Sequence, residues 1–308
     1  MIEIKNLKVN NGGIDILNEI SMNISDNSVA CILGNKNSGK SSILKALVGV
    51  YQDYYGEILY NGQDISDMKE IVIDILHEDR ENDSSINVYE YLTFYGSIYG
   101  KYNKKELDEY IDEMLKKFML ISYKYTNVSL LDNYDYKLIE LIRILINDPE
   151  VILFDNVFGG DNNEFNDRLL SFIKTLIGKK TIVFASRSLN YIEEIVTHIA
   201  IIDNGSLVIY GKKEDVYKAA ELNDKIQVDI ISGMTDALEI LNKNQNVSDI
   251  VYTDNSITFS LAINISNSDN REEIESLILK DLVVNGVKVC SFKRQRARFE
   301  QLHERLVA

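Results

Sequence analysis

Proline occurs once in 308 residues, as Pro149, and no low-complexity tract interrupts the chain. That leaves little room for rigid extended linkers, so any domain boundary has to be read from polar loop residues. Cysteine is almost as scarce. Cys31 and Cys290 each lie in an apolar run, far apart and without metal-ligand spacing, which predicts two buried free thiols in a reducing cytosol. Positive charge is in deficit too: 33 Lys and Arg face 48 Asp and Glu, a net charge of −15. Such an acidic chain is a poor match for nucleic acid, whose binding draws on basic patches. No window approaches the ~18 uninterrupted apolar residues of a membrane span. The first residues, MIEIKNLKV, alternate instead of forming a basic and apolar leader, so the expectation is a chain that neither spans a membrane nor is secreted. At this length two domains are expected, with the polar stretch 219–224 as the boundary.

What is present begins with residues 29–49, VACILGNKNSGKSSILKALVG, where a short apolar strand ends in a glycine-bracketed loop and turns helical. Gly34, Gly39, Lys40 and Ser41 fit the phosphate-loop spacing G-x-x-x-x-G-K-[ST] in its required context, after a strand and before a helix. The glycines let backbone N–H groups approach phosphate oxygens, and the helix start adds its positive dipole end. The candidate nucleotide-binding set is Gly34, Asn35, Asn37, Ser38, Gly39, Lys40, Ser41 and Ser42. Lys40 is expected to reach the β and γ phosphates, and Ser41 to hold Mg²⁺.

Ahead of the loop, residues 1–9 and 16–24 alternate around Asn11-Gly12-Gly13 and predict an antiparallel pair. Behind it, strands are predicted over 55–60 and 71–76, then three helices capped or begun at Asn87, Asn103 and Tyr134. This helical insert, about 84–147, gives way to VILFD at 151–155, an apolar strand ending in Asp155. A carboxylate there, downstream of a phosphate loop, is placed to orient Mg²⁺ through its water shell. Strands at 181–185, 199–203 and 207–210, with helices at 162–177 and 189–196, complete an α/β pattern with a largely parallel sheet. After the boundary the order becomes βαββαβ, a ferredoxin-like arrangement, followed by a helix over about 295–307. The domains expected are therefore 1–219 and 220–308.

With these parts in order the chain resembles the ATP-binding subunit of an ABC transporter, through ILNEISMNI, VYEYLTFYGSIYG, RILINDPEVILFD and IAIIDNGSLVIYGKKEDV as well as the loop. It looks most like the subunits that pair with separate ABC-2-type permeases in drug, antibiotic or peptide export. The resemblance implies a P-loop ABC ATPase core with an antiparallel β subdomain and helical insert, ATP and Mg²⁺ as cofactors, and two ATPase domains closing head to tail. It further implies a location on the cytoplasmic face of the membrane, held by the permease.

Several positions depart from that family's pattern. Asn11 stands where an adenine-stacking aromatic is usual, and His77 where a magnesium-touching glutamine is usual, with Glu78 the choice in a shifted register. The signature LSGGQ is replaced by Leu131-Asp132-Asn133-Tyr134-Asp135, adding carboxylates and a bulky ring. Asn156 replaces the glutamate that polarises water, and Arg187 the switch histidine. An amide orients water but accepts no proton, and arginine is a permanent donor able to clamp a phosphate. The expectation is an ATP-binding subunit of weak hydrolysis, with Asn156, Arg187 and His77 in the catalytic positions and a heterodimer with an intact ATPase favoured over a homodimer. A competent ATPase using these residues as replacements, and a nucleotide-gated regulator or scaffold, are the alternatives.

Overall fold

The computed structural model describes residues 1–51, 53–68, 73–77, 85–158, 162–219, 225–261 and 268–295. The chain opens with β1 (Ile2–Asn11) and β2 (Ile14–Ile24), an antiparallel pair turned by Gly12 and Gly13 at positive φ. β3 (Val29–Leu33) is buried at every position, as a strand covered on both faces must be. It leads into α1 (Lys40–Leu47), and then β4 (Tyr55–Tyr60) and the short β5 (Gln63–Asp64) extend the sheet on the far side of β1.

β6 (Ile73–Leu76) precedes the helices α2 (Val88–Tyr99), α3 (Lys104–Lys117) and α4 (Asn133–Asn147). Asn87 and Asn103 each form a reciprocal capping box with the glutamate three residues on, satisfying amides that a helix start leaves without partners. α4 ends where Asp148 turns left-handed and Pro149 cannot continue the helix. β7 (Val151–Asp155), α5 (Asn163–Leu176), β8 (Thr181–Ser186), β9 (His198–Asp203), β10 (Ser206–Lys212) and α6 (Lys213–Ala219) follow.

Among the described residues ten strands make one sheet in the order β5-β4-β1-β2-β10-β9-β3-β8-β7-β6. Within it β9, β3, β8, β7 and β6 run parallel. Ile43, Leu44 and Leu47 of α1 share one buried cluster with Ile32, Leu153, Val183 and Ile75, so the helix after the loop is clamped onto the parallel strands.

The chain divides at Val216 and Tyr217 into two compact units. The second contains β11 (Lys225–Ser232), α7 (Met234–Lys243), β12 (Val247–Tyr252), β13 (Ser256–Leu261), α8 (Ser268–Val284) and β14 (Lys288–Gln295). Its strands pair antiparallel in the order β12-β13-β11-β14, the βαββαβ order read from the sequence. Ile226, Val228 and Ile230 alternate into a core of their own with Phe259, Leu241 and Leu282.

Three local expectations change. Residues 189–196 form turns instead of an α-helix: hydrogen bonds to the fourth residue back, such as Val196 to Ile192 at 3.1 Å, mix with three-residue ones, such as Ile195 to Ile192 at 3.0 Å. Cys290 is exposed on β14, whereas Cys31 is buried as expected. Gln295 ends a strand, and the remainder of the C-terminal helix expected there lies outside the described residues, as does Glu78.

Candidate functional site

Parallel register brings the sequence-predicted site to one edge of the sheet. Leu33 of β3 pairs with Ser186 of β8, Asp155 of β7 with Ala185, and Phe154 with Leu76 of β6. The chain therefore leaves the carboxyl ends of four adjacent strands at Gly34, Arg187, Asn156 and His77, the place where open parallel sheets bind ligands.

The loop between β3 and α1 is shaped by contacts that exclude side chains. A Cβ on Gly34 would stand 2.3 Å from the Ile202 carbonyl oxygen. Gly39 has φ +106°, and a Cβ there would meet Leu17 at 2.8 Å. Asn37 also adopts positive φ, a conformation its short amide tolerates. Inside this cradle Lys40 is buried, and its Nζ donates to the Asn35 carbonyl at 2.6 Å and to Ser38 Oγ at 3.2 Å. Ser42, beside Ser41 in α1, is half-buried. The turn after β9 closes the cradle, with the Gly205 amide donating to the Ser38 carbonyl at 2.9 Å.

Ser41 and Asp155, 114 residues apart, meet: the Ser41 hydroxyl donates to Asp155 Oδ1 at 2.9 Å. Asp155 is buried at 7% exposure, so a carboxylate and a hydroxyl converge beside a buried ammonium. Two hard oxygen donors beside a phosphate cradle are a donor set that fits Mg²⁺ held together with a nucleotide. Asn156, at φ +50°, donates its backbone amide to the Ala185 carbonyl at 2.8 Å, which fixes the turn where β7 ends. Arg187 is exposed just past β8, and His77 is half-buried just past β6. The side chain of Asn11 lies outside the described residues.

At the start of α4 the substituted pentapeptide has its own internal logic. Asp132 is the helix N-cap, its Oδ1 accepting from the Tyr134 amide at 2.9 Å and the Asp135 amide at 2.8 Å. The Tyr134 ring packs on Phe165 at 5.0 Å between centroids. Burial, and then the Asp132 charge, hold the Asp135 carboxyl above the ordinary carboxylate range. An aspartate just before the periodic apolar positions of α4 is the sequence signal that identifies such a cap.

A second polar cluster was not singled out as a site in the sequence, although Arg143, Tyr91 and Tyr99 lie in stretches that carry the resemblance. Arg143 of α4 donates through Nη1 and Nη2 to the two carboxylate oxygens of Asp74 in β6, at 3.2 and 3.3 Å. Its Nε donates to Glu140 at 3.1 Å, Nη1 to the Tyr99 hydroxyl at 2.9 Å, and the Tyr91 hydroxyl donates to Glu140. Burial alone would lower the pKa of Arg143, but Asp74 and Glu140 more than reverse that and hold it above its usual value.

Residues 17–159 match the family model for the ABC transporter. An uncharacterized ABC transporter ATP-binding protein of Methanocaldococcus jannaschii is 29% identical over 217 residues, 70% of this chain and 79% of that relative. The methionine import ATP-binding protein MetN of Clostridium tetani is 26% identical over 72% of each chain. Among solved structures, an ATP-binding subunit of an ABC transporter superposes with a TM-score of 0.65 at 18% identity, covering 71% of this chain and 92% of that one. That last likeness concerns the fold, which is the P-loop ABC ATPase fold. Motif, fold and relatives together make the chain similar to ABC transporter ATP-binding subunits.

Proposed function

We propose that the chain binds Mg-ATP through residues 34–42 with Ser41 and Asp155, turns it over weakly, and couples that binding to a separate membrane permease. The observation that carries this reading is the Ser41–Asp155 hydrogen bond at the mouth of a glycine cradle containing buried Lys40. In this reading Lys40 exchanges its loop carbonyl for β and γ phosphate oxygens, and the amides after Gly34 supply the remaining donors. Ser41 would hold magnesium directly and Asp155 through its water shell, and the bound ion would supply charge neutralisation at the phosphates. Asn156 orients a water without taking its proton, which forgoes about 10² to 10⁴ in rate relative to a positioned base. Arg187, a fixed cation at the same sheet edge, clamps the terminal phosphate, and His77 reaches toward the metal side of the site.

The start of α4 favours a heterodimer. In the family that segment meets the partner's nucleotide, and here Asp132 occupies the amides of Tyr134 and Asp135 that would face a phosphate. An intact ATPase partner would instead present its own signature to this chain's loop. The partner permease in this reading is of the ABC-2 type, exporting a drug, antibiotic or peptide, with the chain held at the cytoplasmic face of the membrane. Among the described residues no helix is long and apolar enough to cross a membrane, which accords with a separate permease.

The test is to mix the purified chain with Mg-ATP, isolate it rapidly and identify the retained nucleotide, with Lys40→Ala as control. Intact ATP retained by the parent chain and lost in the variant is the expected result. Rapid Lys40-dependent conversion to ADP would instead select a competent ATPase, and permease association indifferent to ATP a scaffold.

A further inference from the structure

The Arg143 cluster joins three elements, β6, α2 and α4, and β6 leads directly to His77 of the candidate site. Among the described residues β6 is the outermost strand of its sheet, and there its backbone pairs with β7 alone. Its described stretch is four buried residues, so the side chains on its two faces set its register. Strand alternation puts Asp74 and Leu76 on one face and Ile73, Ile75 and the outgoing His77 on the other. Ile73 and Ile75 share the buried cluster with Ile43 and Leu44 of α1, the helix that carries Ser41. Val151 and Leu153 belong to the same cluster, and the face they define is the one from which Asp155 meets Ser41. Leu76 pairs with Phe154, and the same register carried one residue further would set His77 beside Asp155 and on its face. A slip of one residue would turn His77 away from Ser41 and Asp155 altogether.

What holds Asp74 to the opposite face is the guanidinium fork of Arg143. Both carboxylate oxygens of Asp74 are engaged, and Oδ1 also accepts from the Ile75 amide at 2.8 Å. The guanidinium is fixed in turn by Glu140, by the Tyr99 hydroxyl and by the Tyr95 ring, 5.3 Å from its centre. The side chains of Asp74 and Arg143 are 11% and 12% exposed, so the pair is little screened by solvent. We propose that Arg143 is a positioning residue: through its bidentate pairing with Asp74 it fixes the face of β6, and thereby aims His77 at the Ser41–Asp155 pair. Helices α2 and α4 thus govern the metal side of the nucleotide site without touching it. This rests on the reading of Ser41 and Asp155 as the magnesium side of an ATP site.

The experiment measures ATP affinity of the full-length chain with and without Mg²⁺, for the parent, Lys40→Ala, His77→Ala, Arg143→Met, Arg143→Lys and the His77→Ala/Arg143→Met pair. Arg143→Met is expected to weaken Mg-dependent affinity about 10- to 100-fold, the range found when an outer-shell partner of a metal site is removed. Affinity without Mg²⁺, which rests on the loop and Lys40, is expected to stay within about twofold. His77→Ala is expected to show the same loss, and the double variant no further loss, because both changes remove one device. Arg143→Lys keeps the charge without the fork and is expected to fall with Arg143→Met; it also supplies the reading if the methionine variant does not fold. Parent-like Mg-dependence in both Arg143 variants, a full rescue by lysine, or additive losses in the double variant would overturn the proposal. Absence of Lys40-dependent ATP binding in the parent would overturn the nucleotide site itself, and the positioning role with it.

Discussion

At single residues, the proposed weak turnover rests on the difference between Asn156 and a carboxylate. Asn156→Glu is expected to raise phosphate release only modestly, short of the about 10² to 10⁴ that a positioned base supplies, because Arg187 and the start of α4 are unchanged. A phosphate-release assay at saturating Mg-ATP checks this, and full recovery would sink the weak-hydrolysis reading. The residues of this site were readable in the chain to different degrees. Gly34, Gly39, Lys40 and Ser41 were legible because the constraint on them is local: a loop of fixed length between a strand and a helix. Asp155 was legible because an apolar strand ended there. Asp74 and Arg143, 69 residues apart, were not, since a buried ion pair joining a sheet edge to a helix leaves no periodicity behind. Asp132 was read from the sequence only as a carboxylate within the replaced signature, and the structure adds that it caps α4.

At the scale of elements, α4 shows how a helix start stores charge. The folded chain holds the Asp135 proton more tightly than an ordinary carboxylate does, mainly through burial and then the nearby Asp132. Folding is therefore favoured while Asp135 is protonated, and that contribution is lost as pH rises through the ordinary carboxylate range to its raised folded value. Asp135→Asn is accordingly expected to raise the melting temperature at neutral pH, with the gain shrinking toward zero below the usual carboxylate pKa. Thermal melts across that pH range provide the check. The strands and longer helices were recoverable from apolar periodicity and caps, as with the boxes at Asn87 and Asn103. Residues 189–196 were not, because Leu189, Ile192 and Val196 are all buried at helix-like spacing. The segment between β8 and β9 buries those residues through successive turns, and apolar spacing does not distinguish this from a continuous helix.

At the scale of the whole molecule, two units with separate hydrophobic cores are expected to report separately on ligand binding. Calorimetry is expected to resolve two transitions, of which Mg-ATP moves the one belonging to the first unit, by about 2.7 kcal/mol at a hundredfold excess over Kd. Equal displacement of both transitions would mean that the units unfold together. Another consequence follows from the turn at Asn204 and Gly205. A hairpin turn between two strands is ordinarily where a chain tolerates added or rejoined segments. Here Gly205 has φ +76°, a Cβ on it would stand 2.4 Å from the Ile16 carbonyl oxygen, and its backbone bonds both Ser38 and Asn18. β10 meets β2 at a single residue pair, Ser206 with Asn18, so the same turn joins the antiparallel and parallel halves of the sheet. Insertion of a short flexible peptide between Asn204 and Gly205 is therefore expected to abolish nucleotide binding, whereas the same insertion at residues 245–246 leaves it intact, as retained ATP would reveal. For anyone dividing or tagging this chain, the turn that looks most dispensable is part of the wall of the phosphate loop, and its length is as constrained as the loop's own.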